Sequence, residues 1–240
     1  MKKITAIISL AVLAFAAAHA AVLVEWDFNG QMEFGKEGLM ATGGNVSGEL
    51  SRNGVVDTVG FSANNAWGGN FLHSSGPDKE TAIEKGQYFT FTLEAAEGFT
   101  MSLTAINDYT LRWSTTGPQY FQWQYSIDGT FFDDIGGPIH LHDGTGSRSA
   151  AKQSGISLVG LDGLDDTGFV VFRLVAWGGG ELSSGASGNL YFDGRIGSNP
   201  HTFAIQGTTT PIPEPSSTWL LFGAGVAVVV VFRRRNKTQA

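Results

Sequence analysis

YFQWQYSIDG, at residues 120–129, alternates aromatic and polar side chains with the two-residue period of a half-buried β-strand. One face of this strand would carry Phe121, Trp123, Tyr125 and Ile127, and the other face would carry Tyr120, Gln122, Gln124 and Ser126. Asp128-Gly129 predicts a hairpin turn, because this pair favours the backbone conformation that reverses a strand. The chain would then return as a second strand that begins at Phe131 and Phe132.

The same alternation recurs on both sides of this hairpin, and it predicts the fold class. A first strand would turn Val22, Val24, Trp26 and Phe28 to one face, and later strands are predicted around residues 88–93, 99–103, 170–176, 190–192 and 203–205. Glycine accounts for 33 of the 240 residues, which is typical of short strands joined by glycine-rich connections. We therefore predict an all-β fold, an antiparallel jelly-roll-like β-sandwich with long loops at 62–80, 140–155 and 178–188.

The two ends of the chain are predicted to be targeting segments. Residues 1–20 have the pattern of a signal peptide, with Lys2 and Lys3 before an apolar run and the small-residue pattern Ala18-His19-Ala20 at its end. Residues 211–240 combine a proline-rich start, an apolar run from Trp219 to Phe232 and a basic C-terminus. We expect a transmembrane helix at about 216–232, with the basic end in the cytoplasm and the sandwich, residues 21–210, outside.

The order of elements in the tail resembles the PEP-CTERM protein-sorting signal of Gram-negative bacteria. Its motif would be Pro213, Glu214 and Pro215, and Arg233, Arg234 and Arg235 would be its stop-transfer charge. The resemblance implies that an exosortase, a membrane-embedded transpeptidase, processes the protein. It also implies transient anchoring in the inner membrane, then delivery to the cell surface or extracellular matrix of exopolysaccharide- and biofilm-forming bacteria.

The body is similar, at the level of pattern, to jelly-roll ectodomains that precede such tails. Three short patterns carry this similarity: Trp26-Asp27-Phe28, the Tyr125–Gly129 hairpin and the strand 188–193. It transfers no functional residue.

Charge and cysteine content exclude several classes of function. Without the two end segments the chain has 9 basic and 21 acidic residues, a net charge of −12. A body this acidic repels the phosphates of nucleic acid, so no nucleic-acid partner is expected. The chain has no cysteine, which excludes disulfides, thiolate catalysis and iron–sulfur clusters.

Two acids on the first strand are candidates for catalysis or for metal binding. Glu25 and Asp27 share one strand face, but Gly30 occupies the place where a glycoside hydrolase of this architecture needs a second glutamate. We therefore expect no enzymatic activity, no catalytic residue and no cofactor. The same acids, together with Asp193 from the last strands, are the natural ligand set for a structural calcium ion. The alternative is that all three are solvated surface acids.

Aromatic residues are the candidates for binding glycans. Trp67, Trp113, Tyr120 and Trp177 lie in or beside loops or on the less apolar face of a strand, where sugar rings could stack on them. The alternative is that these rings close the ends of the core, and burial of all six tryptophans would count against a matrix or carbohydrate-binding module. His140 and His142 are too few for a metal site.

Three functions follow from these observations, in order of preference. The first is a non-enzymatic matrix protein associated with exopolysaccharide, the second a structural surface protein without a small ligand, and the third a secreted glycan hydrolase.

Overall fold

The structure is a computed structural model, and it describes residues 20–30, 39–53, 64–72, 78–142, 148–178, 187–196 and 199–213. The predicted signal peptide, apart from its last residue, and the predicted transmembrane helix lie outside these ranges.

Sixteen strands and one short helix make up the described part of the chain. In chain order they are β1 (Ala21–Asp27), β2 (Leu39–Gly43), β3 (Val46–Asn53), β4 (Ala66–Leu72), α1 (Lys79–Glu84), β5 (Tyr88–Ala95), β6 (Phe99–Ile106), β7 (Tyr109–Trp113), β8 (Tyr120–Ser126), β9 (Asp133–His140), β10 (Arg148–Gln153), β11 (Ile156–Ser157), β12 (Phe169–Trp177), β13 (Ser187–Asp193), β14 (Arg195–Ile196), β15 (Asn199–Pro200) and β16 (Thr202–Pro211).

The strands form antiparallel sheets, which confirms the predicted all-β class. A six-stranded sheet has the order β2-β3-β5-β12-β8-β9, and two four-stranded sheets have the orders β1-β16-β6-β11 and β10-β7-β13-β4. Strands β14 and β15 form a small ribbon. One hydrophobic core contains residues from all three larger sheets, so the six-stranded sheet packs against the other two as a sandwich. The finer assignment as a jelly roll stays a prediction.

Aromatic rings fill the centre of this core. Phe91 from β5 lies 5.0 Å from Trp123 and 5.0 Å from Phe203, measured between ring centroids, and 5.3 Å from Phe192. The indole N–H of Trp123 donates a hydrogen bond of 2.9 Å to the Tyr109 hydroxyl, which satisfies a polar group in an otherwise apolar interior. Burial raises the pKa of Tyr109, so the hydroxyl stays protonated.

Two details of the predicted alternation are wrong. Between Val22 and Val24 the register of β1 against β16 shifts, so Leu23 and Val24 are both buried while Val22 is 46% exposed. Ile127, predicted to face the core, follows the last residue of β8 and is half exposed in the hairpin connection. The antiparallel pairing of β8 with β9 is confirmed, but residues 127–132 connect the two strands and β9 begins at Asp133, not at Phe131.

Two of the predicted long loops contain strands. Strand β4 lies within residues 62–80, and β10 lies within 140–155. Strand β4 was not predicted because its glycines are typical of a loop. Gly68 is required there by packing, since a Cβ atom at this position would lie 2.3 Å from the Cβ of Tyr191 on β13. Most of the third loop, 178–188, lies outside the described residues.

Helix α1 covers part of the outer face of the six-stranded sheet. It begins at the N-cap Asp78, whose side chain accepts a hydrogen bond from the Thr81 N–H. Its Ala82 packs with Val175 and Trp177 of β12 in a second, smaller apolar cluster. The outer face is therefore partly enclosed, and a cleft lies where the helix begins.

Candidate functional site

The cleft beside α1 lies over an irregular part of β9. Phe121 pairs with Ile139 and Trp123 pairs with Ile135, so Gly136, Gly137 and Pro138 bulge out opposite Gln122. The cleft has a volume of about 440 Å³. Its lining consists of residues 78–80, Gln122, Asp134, residues 136–138 and Trp177, and we name it the Trp177 cleft.

A chain of polar contacts holds one wall of the Trp177 cleft. Lys79 donates to Asp134 Oδ2 at 2.6 Å, and Gln124 donates to Asp134 Oδ1 at 2.5 Å. Arg173 in turn donates from Nε to Gln124 Oε1 at 2.6 Å. Gln122, only 2% exposed, donates its amide N–H to the Gly136 carbonyl at 2.8 Å. These contacts fix the start of α1 and the β9 bulge relative to each other.

A second cleft, of about 560 Å³, lies where β6, β11 and the start of β16 meet. Its charged group, Asp108, pairs with Lys152 and accepts a hydrogen bond of 2.7 Å from the Gly155 N–H. The Lys152 hydrogen bond and then the Gly155 bond lower the pKa of Asp108, so it stays ionised and is a poor general base near neutral pH. His201 Nε2 lies 3.1 Å from the Asp108 carbonyl, so this nitrogen donates. In this cleft the Asp108 carboxylate and the His201 ring therefore both have hydrogen-bond partners.

The three candidate calcium ligands do not form a joint site. Arg112 donates from Nε to Asp193 Oδ2 at 2.6 Å and pairs with the same oxygen through Nη2. Asp27 accepts two hydrogen bonds from Asn29, and Glu25 accepts one from Thr202. Within the described ranges, no group of three or more His, Asp or Glu side chains is placed to hold a metal ion.

Burial nonetheless raises the pKa of Asp193, because its side chain is only 1% exposed; the Arg112 charge opposes this shift. Arg112 thus places a positive charge beside the buried Asp193 carboxylate. The Asp193 side chain is buried, whereas Glu25 and Asp27 are exposed.

The candidate stacking residues are largely enclosed. Trp67 is fully buried, with its ring centroid 5.0 Å from that of Phe89. Trp113 is 4% exposed and stacks in parallel on His142 at 5.8 Å. Trp177 is 7% exposed and stacks on the half-buried Tyr120 at 5.9 Å. The five tryptophans among the described residues are all buried, and Trp219 lies outside them.

The Tyr120 ring also contacts the ring of His140, with a centroid distance of 4.8 Å. These rings therefore leave little free aromatic face for a sugar. The two histidines contact different rings, His140 that of Tyr120 and His142 that of Trp113.

The end of the body joins the tail without a spacer. Strand β16 lies between β1 and β6, and its last residue, Pro211, pairs with Phe99. The Ile212 N–H still donates a hydrogen bond of 2.7 Å to the Gly98 carbonyl. Pro213, the next residue, is the first of the Pro-Glu-Pro triplet.

Comparison with known proteins decides the nature of this tail. Residues 211–235 match the family model described as the PEP-CTERM protein-sorting motif. The tail is a PEP-CTERM sorting motif. The comparison with curated proteins gave no match to the chain.

The match to the PEP-CTERM motif confirms the predicted resemblance. It implies export, a membrane-anchored sorting signal and processing by an exosortase. Pro213 is described, whereas Glu214, Pro215 and the arginines 233–235 lie outside the described residues. Within the ranges that the structure describes, no helix has the length and apolarity to cross a membrane.

Sequence reasoning missed the Trp177 cleft. Gln122 was assigned to the polar face of its strand, and Lys79 and Asp134 lie 55 residues apart. The available signal was Gly136-Gly137-Pro138, since two glycines and a proline inside a strand indicate a bulge. Nothing in the sequence placed α1 over that bulge.

Proposed function

We propose that the protein is a non-enzymatic component of the cell surface or extracellular matrix, associated there with exopolysaccharide. The observation that carries this proposal is the PEP-CTERM motif at 211–235, joined directly to a β-sandwich, which we take to be jelly-roll-like. The motif accounts for export and for processing by an exosortase. The association with polysaccharide follows from the setting in which such sorted proteins work.

The absence of an assembled catalytic group among the described acids supports a non-enzymatic role. Glu25 is exposed, Gly30 stands where a second glutamate would be needed, and Asp193 is bound by Arg112. A glycan hydrolase needs two carboxylates separated by about 5–10 Å across the bond to be cleaved. In the Trp177 cleft, Asp134 accepts hydrogen bonds from Lys79 and Gln124, and Asp78 caps α1.

The hydrogen bonds that Thr81 makes from its side chain and then its backbone lower the pKa of Asp78. A general acid needs a raised pKa, so Asp78 is unsuited to protonate a leaving group. Incubation of the purified protein with the host polysaccharide should release no new reducing ends. Release of reducing ends above the level of a heat-treated sample would contradict this part of the proposal.

The sorting step is tested by changing the motif in the native host. The triple variant Pro213→Ala, Glu214→Ala, Pro215→Ala should accumulate in the membrane at unprocessed mass, while the wild-type protein reaches the surface or matrix. The matched control replaces Arg233, Arg234 and Arg235 by lysine, which keeps the stop-transfer charge and should be processed normally. Normal delivery of the alanine variant would overturn the proposed route.

The matrix association is tested by fractionation. Wild-type protein should co-sediment with the exopolysaccharide and enter solution when that polysaccharide is enzymatically degraded. Protein that remains with washed cells after degradation would favour the structural surface protein without a ligand.

A further inference from the structure

We propose that the Trp177 cleft binds a neutral sugar residue of an extracellular polysaccharide, by hydrogen bonds to its hydroxyl groups and not by ring stacking. This inference rests on the proposed matrix location, and it assigns a binding site and a ligand class to the body.

The first observation is a buried amide with an open acceptor. Gln122 uses its N–H on the Gly136 carbonyl, and its oxygen accepts no hydrogen bond within the described part of the chain. Buried carbonyl groups without a donor are uncommon in folded proteins and are costly. This oxygen is not among the fully inaccessible polar atoms that lack a partner, so it keeps some solvent access, and Gln122 lines the cleft. The Gln122 oxygen is therefore available to accept a hydrogen bond from a ligand.

The second observation is a donor in the same cleft. Trp177 lines the cleft, and its indole N–H makes no hydrogen bond to the described residues. Unlike the Trp113 N–H, it is not closed off from solvent. An indole nitrogen can only donate, whereas the Gln122 oxygen can only accept. A sugar residue fits this pair, because each of its hydroxyls both donates and accepts.

The shape of the cleft also fits a sugar unit of a chain. Its volume of about 440 Å³ lies in the range of small-molecule sites, about 300–1,000 Å³. A Cβ atom added at Gly136 or Gly137 would meet no atom within 4 Å, so the two glycines leave one side open. A polymer can therefore enter and leave along this side.

The net negative charge of the cleft lining favours neutral sugars over acidic ones. Asp78, Glu80 and Asp134 oppose the single positive charge of Lys79, which leaves two negative charges at the rim. Acidic sugars such as uronic acids are repelled by this balance, and neutral sugars are not.

The test uses full-length protein purified in detergent and exopolysaccharide from the native host, separated by anion exchange into neutral and acidic fractions. Calorimetric titration should show binding to the neutral fraction. Gln122→Met and Trp177→Phe should each weaken it roughly tenfold, the usual effect of one lost hydrogen bond. Trp113→Phe is the matched control, since it removes an equally unpartnered indole N–H outside the cleft, and it should bind like the wild type.

Gln122→Met and Trp177→Phe could weaken binding by disturbing the fold, so a third variant blocks the cleft instead. Gly137 has no positive φ and faces open space, so Gly137→Phe should fold and fill the cleft. Gly168→Phe, at a second glycine with the same two properties, is its control. Binding should be abolished in the first and retained in the second.

The outcomes separate this inference from the proposed function. If wild-type protein is found in the matrix but binds only the acidic fraction, or binds neither fraction, the cleft assignment is overturned and the matrix location stands. The same holds if the Gly137→Phe protein binds like the wild type. If wild-type protein is absent from the matrix, the proposed function fails, whatever the titrations show.

Discussion

Removal of the Arg112 side chain tests the account of Asp193 most directly. Arg112→Met would leave the Asp193 carboxylate, 1% exposed, with one remaining hydrogen bond, from the Arg195 N–H at 2.9 Å, and with the weaker influence of the Arg195 charge. Breaking a buried ion pair by removing one partner costs about 3–5 kcal/mol, and the remaining donor favours the low end. At about 2–4 °C per kcal/mol for a body of this size, the melting temperature should fall by roughly 6–12 °C.

The loss should depend on pH with a defined sign. Burial already raises the pKa of Asp193, and removal of Arg112 raises it further. The folded variant then takes up a proton at a pH where the unfolded chain, with an aspartate pKa of about 3.9, does not. Protonation removes the uncompensated charge, so the loss relative to wild type is largest at pH 7.5 and shrinks as the pH falls towards 4.5.

The assay is a thermal melt of the full chain in detergent, followed by tryptophan fluorescence at both pH values. The double variant Arg112→Met, Asp193→Asn should recover part of the loss, because no charge is then buried. Lys152→Met, which breaks the exposed pair with Asp108, should change the melting temperature little. An Arg112→Met loss that is equal at both pH values would refute the buried-charge reasoning.

Three further outcomes are expected. Tyr109→Phe leaves the buried Trp123 N–H without its acceptor and should lower the free energy of unfolding by about 1–3 kcal/mol, measured by denaturant titration; an unchanged value would contradict the role of this bond. Gly68→Ala should destabilise the protein far more than Gly168→Ala in the same melt, because only the first Cβ would overlap a neighbouring strand; equal effects would argue against the β4–β13 approach. EGTA should leave the melting temperature unchanged, since Arg112 neutralises Asp193; a fall that calcium reverses would restore the calcium site.

The local patterns predicted more of the fold than of the site. The alternation in YFQWQYSIDG predicted β8 and its pairing with β9, because successive side chains of a strand point to opposite faces. It did not predict that the polar face, with Gln122, Gln124 and Ser126, is buried as well. It failed at Val22, where a bulge changes the register, and at β4, whose glycines read as a loop. Trp67 looked like a loop residue for the same reason and is a centre of the core.

The sequence by itself determined the sorting motif of this protein, because that motif lies in one contiguous segment, residues 211–235. The tertiary structure decided the contacts between residues that are far apart in the sequence. Strand pairing brings Arg112 to Asp193 across 81 positions, and it closes Trp177 against Tyr120. It also leaves the Gln122 oxygen open beneath a helix that begins 43 positions earlier, since 79 and 122 meet only through the packing of α1 on the sheet. Such contacts follow from burial of apolar area over the whole body, which no short pattern specifies.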